Sequence, residues 1–484
     1  MTNERNKQMR YYIYVFYILI IGAALALSSC KKPISFSTEN LAFSADTVIF
    51  DTVFTTIGST TKKLKIYNND SKTLNIEQIE LMGGANSPFR INVDGLPGTN
   101  FADLEMEGND SLFIFVEVTL DPNNQTAPIV MEDQIRFRTN GTDQYVQLVA
   151  WGQDMYFHYS NIQQGVLDLN EGTWPNDKPH VIYNYAFIDS AKTLNIQAGT
   201  EIYLHKNSIL YNYKGTLNIN GAFGNEVTLQ GDRLESYYDD VAGQYYGIYM
   251  QEAQPSKIDY AIIKNGTTGI HLFSEESSNP SYTLEVSNTI IKNNASYGMF
   301  IFQGAKVKAE NCVIAKNGVH SLIVLGGGDF NFNHCTLVGY GGGQNSGSAV
   351  GISNFYNNPS TLTQEVSSIN EGTITNSVIY GQSDYELAFD TTDFGGAVLN
   401  FDFQRNLIRS EDIFTNPFFT NNNLWNQEPL FVGINDDDFH FWSTSPMNNA
   451  GDPVFPVTNS STANSDLEGT SRASGPDIGA YEKQ

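Results

Sequence analysis

The chain has 484 residues, and 53 Asp and Glu against 27 Lys and Arg give it a formal net charge of −26. So acidic a surface argues against nucleic acid and against unassisted binding of anionic polysaccharide, and otherwise only keeps a long chain soluble. Cysteine usage is thin, at Cys30, Cys312 and Cys335, and the seven histidines show no HxxxH or HxH spacing.

Residues 1–29 read as an export signal. Arg5, Lys7 and Arg10 make a positive start, residues 11–27 are apolar, and the apolar run stops at Leu27-Ser28-Ser29-Cys30. That run is short and wrongly flanked for a membrane span; an uncleaved anchor is the other reading. Leu27-Ser28-Ser29-Cys30 resembles a bacterial lipobox. The resemblance implies that Cys30 is acylated, becomes the mature N-terminus and ties the protein to a lipid bilayer, with residues 30–33 as the tether. Lys31, Lys32 and Pro33 follow Cys30, with neither an Asp nor an acidic run. By comparison with lipoprotein sorting signals the expected address is the outer membrane, either leaflet facing the protein.

Residues 34–154 carry seven apolar runs, at 48–53, 63–67, 74–81, 89–93, 112–120, 134–137 and 145–151. Turn signals such as Asn68-Asn69-Asp70, Pro97-Gly98 and Asn140-Gly141 part them. The pattern predicts an immunoglobulin-like β-sandwich without an inter-sheet disulfide. The stretch 50–68 resembles the first module of Bacteroidetes β-helix lipoproteins, which implies a stalk or packing partner.

A short linker near 152–154 leads into residues 155–484, where the chain repeats. Thr283 to Ala305 and Lys306 to Gly328 superpose at a period of 23, and a third copy opens at Asp329. Asn288, Asn311 and His334 share one column; Thr289, Cys312 and Cys335 share the next; Ile291, Ile314 and Leu337 share another. Upstream, Thr193-Leu194-Asn195-Ile196 recurs 23 residues later as Thr216-Leu217-Asn218-Ile219, and downstream 373–379 is one more coil after a long insertion. A period in the twenties signals a solenoid, and apolar alternation in short runs, as in Val307/Ala309 and Phe330/Phe332, signals strands. The expected fold is all-β throughout: the sandwich, then a right-handed parallel β-helix whose equivalent residues stack roughly 4.8 Å apart. Cys312 and Cys335 are then stacked buried thiols, since side chains pointing the same way make poor disulfide geometry.

Leu194 to Thr200 resembles the entry coil of secreted β-helices in the pectate-lyase-like superfamily. Phe439-His440-Phe441, Ser445 to Gly451, and Asp466-Leu467-Glu468-Gly469 with Arg472 and Pro476 to Glu482 are similar to that family's closing segment. The likeness speaks to fold far more than to function.

In lyases of that superfamily a basic residue abstracts a proton beside a uronate carboxylate, commonly with Ca²⁺. Here no Arg lies between Arg233 and Arg405, and Lys264, Lys292 and Lys316 read as solvated turn lysines. Hydrolases need carboxylates converging on one strand face, and no such pair stands in the repeated strands. Asp239-Asp240 and Asp436-Asp437-Asp438 read as solvated acidic turns, with Ca²⁺ binding as the alternative. No catalytic constellation, resident metal or cofactor is therefore assigned.

One feature is positive. If Ile248/Met250, Ile270/Leu272, Met299/Ile301 and Leu322/Val324 face inward, two outward rows follow. They are Tyr249, His271, Phe300, Ile323 and Gln251, Phe273, Phe302, Leu325. Tyr249, His271, Phe300, Phe273 and Phe302 are the candidate glycan-binding residues, exposed apolar surface of a kind that marks binding sites. The competing reading is that a loop at 341–371, or the N-terminal domain, covers them. Two functions remain: a membrane-tethered, non-catalytic β-helix that binds polysaccharide or an envelope protein, or a polysaccharide lyase or glycoside hydrolase with an unrecognised site.

Overall fold

The computed structural model describes residues 36–483 apart from 55–57, 60, 120–128, 162–165, 276–280, 342–346, 415–416, 421, 459–463 and 473–474; of the first 35 residues it describes 9–11 and 15–16. The rest of the export signal, and Cys30 with its tether, lie outside the described residues. Among the described residues no helix is long and apolar enough to cross a membrane.

The chain divides into two compact units, Met1–Asp121 with Ile129–Gly152, and Pro122–Pro128 with Gln153–Gln484. The first holds two five-stranded sheets. One runs, in spatial order, Ala42–Phe43, Lys62–Tyr67, Ser111–Val118, Phe89–Val93 and Leu96–Gly98. The other runs Thr47–Phe54, Thr142–Gln153, Ile129–Thr139, Leu74–Leu81 and Asn100–Met106. Alternate side chains (Leu64 and Ile66, Ile114 and Val116, Leu148 and Ala150) enter one buried core, as period 2 requires of strands with one wet face. Asn140-Gly141 makes the tight hairpin between Thr139 and Thr142, both residues at positive φ.

The second unit is a coil of parallel strands. One turn comprises Leu284–Ser287, Ile290–Lys292 and Tyr297–Gln303, which belong to a first, second and third sheet in that order. The next turn stacks on it in register: Leu284 pairs with Val307, Ile291 with Ile314, and Met299 with Leu322. Leu194 pairs with Leu217, as the 23-residue repeat predicts. The inward columns form one continuous apolar core, from Trp174 at one end to Phe403 and Ile408 at the other.

The corners explain the polar columns. Tyr260, Asn288, Asn311, His334, Asn376 and Arg405 occupy the turn after the first sheet, all at φ between 47° and 58°. Asn tolerates that left-handed conformation better than most residues, and here it also links turns: Asn311 Nδ2 donates to Asn288 Oδ1 at 3.1 Å. One position on, Thr289 Oγ1 donates to Ser287 O at 2.7 Å, and Cys312 and Cys335 donate from Sγ to Glu310 O and Asn333 O. The column therefore wants a small side chain that returns a hydrogen bond two residues back. Both cysteines are free and buried.

The C-terminal segment closes a face, not the end. Phe431, Phe439, Phe441, Met447, Leu467, Ile478 and Tyr481 pack on Val313, Ala315, Val338, Val378 and Tyr380, the outward side of the second sheet. The end of the coil is instead plugged by rings, among them Phe389, Phe414, Phe419 and Trp425. Buried Arg472 pins the returning segment: its guanidinium donates to Glu482, to Gly479 O at 2.9 Å and to Asn311 Oδ1 at 3.1 Å. This corrects two sequence expectations. Lys292 and Lys316 are not solvated turn residues, because both ammonium groups clamp Asp437. Asp437 is accordingly neither a free acidic turn nor an open Ca²⁺ ligand.

Candidate functional site

The third sheet presents an outward face built from one strand of each turn. In it Ile209–Tyr213, Gly247–Gln251, Thr268–Ser274, Tyr297–Gln303, His320–Leu325 and Val350–Ser353 follow one another. Because parallel pairing sets like positions over like, one outward row reads Tyr211, Tyr249, His271, Phe300, Ile323 and a second reads Tyr213, Gln251, Phe273, Phe302, Leu325. The five candidate residues therefore stand together on one face.

Ring contacts run along both rows. Tyr249 and His271 centroids are 4.8 Å apart, His271 and Phe300 stack at 4.5 Å and 9°, and Phe273 and Phe302 lie at 5.7 Å. The Tyr246 hydroxyl sits 2.7 Å from His271 Nδ1. Burial pushes His271 down to about 4, so its ring is neutral near pH 7. The rows are less open than expected: Tyr249, His271, Phe300, Phe273 and Phe302 are all half-buried.

Part of that cover is the hairpin of Phe355–Asn358 and Thr363–Val366, which lies inside the insertion at 341–371. Its Tyr356 ring meets Phe302 edge-on at 5.0 Å. Gly326, at φ +72°, makes room: a Cβ there would stand 2.8 Å from the Tyr356 ring. The Tyr356 hydroxyl donates to Glu365 Oε2 at 2.5 Å and accepts from Gln303 Nε2 at 2.8 Å. Hydrogen bonds from Tyr356 and Asn358 hold Glu365 below the usual carboxylate range. The hairpin thus roofs one end of the face and leaves a cleft of about 710 Å³ lined by Phe273, Phe302, Tyr356, Gln303, Glu275 and Glu365.

Sequence reasoning found the two rows and missed Tyr356, Gln303 and Glu365. The signal was present in Asn357-Asn358-Pro359-Ser360, a turn motif between two short alternating runs. The other candidates lie elsewhere. Asp239 and Asp240 are exposed in a loop, and Asp438 is held by His440 Nδ1 at 2.7 Å. Among the described residues no three His, Cys, Asp or Glu side chains are grouped to hold a metal.

One comparison, with a family model, agrees with the coil. Residues 158–337 match the family described as the right-handed beta helix region. No curated protein matches the chain. Among solved structures, the catalytic unit of a GH87 alpha-1,3-glucanase from Streptomyces thermodiastaticus is similar at 10% identity over 75% of this chain and 88% of that one, with a TM-score of 0.19. A family 123 glycoside hydrolase from Clostridium perfringens is similar at 8% identity over 25% of this chain and 30% of that one, with a TM-score of 0.18.

Proposed function

We propose that this is a membrane-tethered, non-catalytic binding protein of the cell envelope whose third-sheet face and roofed cleft hold a glycan. In this reading residues 1–29 are a lipoprotein signal, Cys30 carries the lipid, and residues 34–154 form an immunoglobulin-like stalk. Residues 155–484 form the recognition coil, in the manner of Bacteroidetes β-helix lipoproteins anchored in the outer membrane. The Leu27-Ser28-Ser29-Cys30 motif supports the anchor.

The observation that carries the binding reading is the register of two outward rows rich in rings, the second of which meets Tyr356 at Phe302. A cleft with ring walls and a few fixed polar groups is the usual shape of a small-ligand or sugar-chain site. Glu365, held below the usual carboxylate range by hydrogen bonds from Tyr356 and Asn358, supplies this cleft with a fixed acceptor for a sugar hydroxyl.

The test pairs binding with turnover. Phe302→Ala and Phe300→Ala should abolish retention on a glycan array while thermal unfolding stays cooperative. Reducing ends or unsaturated products released from a polysaccharide panel, with or without Ca²⁺, would replace this reading by the enzymatic one. Palmitate labelling that survives in Cys30→Ala would remove the anchor.

A further inference from the structure

Resting on the binding reading, we propose that the glycan held on this face is uncharged, and that the face turns away polymers of uronic acid or sulfated sugar. The basis is where the cations are. A uronate or sulfate is held in a cleft by Arg or Lys, through paired hydrogen bonds or a point charge. Among the described residues neither lines the cleft. Its charged groups are Glu275 and Glu365, and Glu252 stands beside them, accepting from the Glu275 backbone N–H at 2.6 Å.

The chain supplies no substitute from neighbouring turns. No Arg lies between Arg233 and Arg405, and the lysines there are Lys257, Lys264, Lys292, Lys306, Lys308 and Lys316. All six belong to the other two sheets or their corners. Lys257 pairs with Glu285, Lys306 with Asp329, Lys308 with Glu310, and Lys292 and Lys316 with Asp437; Lys264 stands beside Lys292 in the second sheet. Arg233 is bound to Glu235. The nearest cation in the second row's own line is Lys214, over the Tyr213 ring at 5.2 Å. Tyr213 is three turns upstream of Phe302, or about 14 Å at the usual strand spacing.

An ionised carboxylate only accepts hydrogen bonds. Glu365 takes Asn358 on Oε1 and Tyr356 on Oε2, which leaves a lone pair on each oxygen for a sugar hydroxyl. A ligand carboxylate in that position would meet like charge, an arrangement that specificity commonly exploits to exclude a competitor.

Native affinity electrophoresis of the full chain in mild detergent tests this. The gels carry a neutral β-glucan, α-glucan, mannan or xylan, or else polygalacturonate, alginate or chitosan. Retardation is expected in a neutral gel, at least ~10-fold weaker in Phe302→Ala, with none in the uronate gels. If Phe302→Ala fails to melt cooperatively, Phe273→Ala takes its place. Retardation in a polygalacturonate, alginate or chitosan gel that these variants abolish would overturn the charge assignment and leave the face as the site. Retardation in no gel, or retardation that both variants leave intact, sinks the binding reading and this inference with it.

Discussion

Two outward faces of the same coil carry apolar side chains, and the chain treats them differently. On the second sheet Val313, Ala315, Val338 and Val378 are nearly inaccessible, because the C-terminal segment returns over them with Phe431, Phe439 and Tyr481. On the third sheet Tyr249, His271, Phe300 and Phe302 stay half-buried, under a hairpin that reaches one end. The covered face carries Val313, Ala315, Val338, Val378 and Tyr380 under the rings of the returning segment, with a buried Arg472 as its bolt; the open face is aromatic, with Glu365 and Gln303 at its rim. Apolar side chains buried from both sides make a packed interface, whereas partly accessible rings with polar rims present flat, amphipathic surface. The difference separates an apolar face packed under a returning segment from one left partly accessible.

The comparison can be broken at several points. Truncating Phe439 to Ala on the covered face should cost about 3–5 kcal/mol of unfolding free energy, read from denaturant curves. Arg472→Ala should cost a similar about 3–5 kcal/mol, since it leaves Glu482 and Asn311 facing an empty, buried site. If either variant melts like the parent, the returning segment is not what secures the second sheet.

Glu386 tests the same coil by pH. It is fully buried, accepts from the Ala349 and Ser383 backbone N–H groups, and burial pushes it up to about 7. Between its ordinary value near 4.5 and about 7 the folded chain holds a proton that the unfolded chain has released. Its contribution is therefore whole below pH ~4.5 and drains as pH rises through that window, by roughly 3 kcal/mol in all. Glu386→Gln should lack that slope, so the difference between parent and variant stability should change by that amount across the window; parallel curves would refute it.

Asp437→Ala should cost about 1.5–3 kcal/mol by leaving Lys292 and Lys316 without their shared partner, and high salt should narrow the gap to the parent. The smallest stability change is expected on the open face. Phe300→Ala should shift unfolding by about 1 kcal/mol or less while removing glycan retention. A loss there as large as that of Phe439→Ala would mean that the third sheet too is a packed face.

Much of this was legible in the residues. Thr193-Leu194-Asn195-Ile196 over Thr216-Leu217-Asn218-Ile219, and Cys312 over Cys335, announced the stacking because every turn must offer its neighbour a matching column. Alternation then assigned inside and outside along each strand, so the two aromatic rows could be written down before any geometry. The corner of Asn288 and Asn311, with His334 in the third copy, was visible as a recurring polar landmark, and a left-handed backbone is what Asn there tolerates.

What the strands would meet across space was decided only on folding. Lys292 and Lys316 resembled ordinary turn lysines, and nothing local named Asp437, well over a hundred residues further on, as their partner. Tyr356 joined Phe302 by the same route, from an insertion with no place in the repeat. Periodicity is a nearest-neighbour property and can be read along the chain. Which outward face is covered depends on where non-repeating segments return, and that choice depends on long-range packing to which no repeat bears witness.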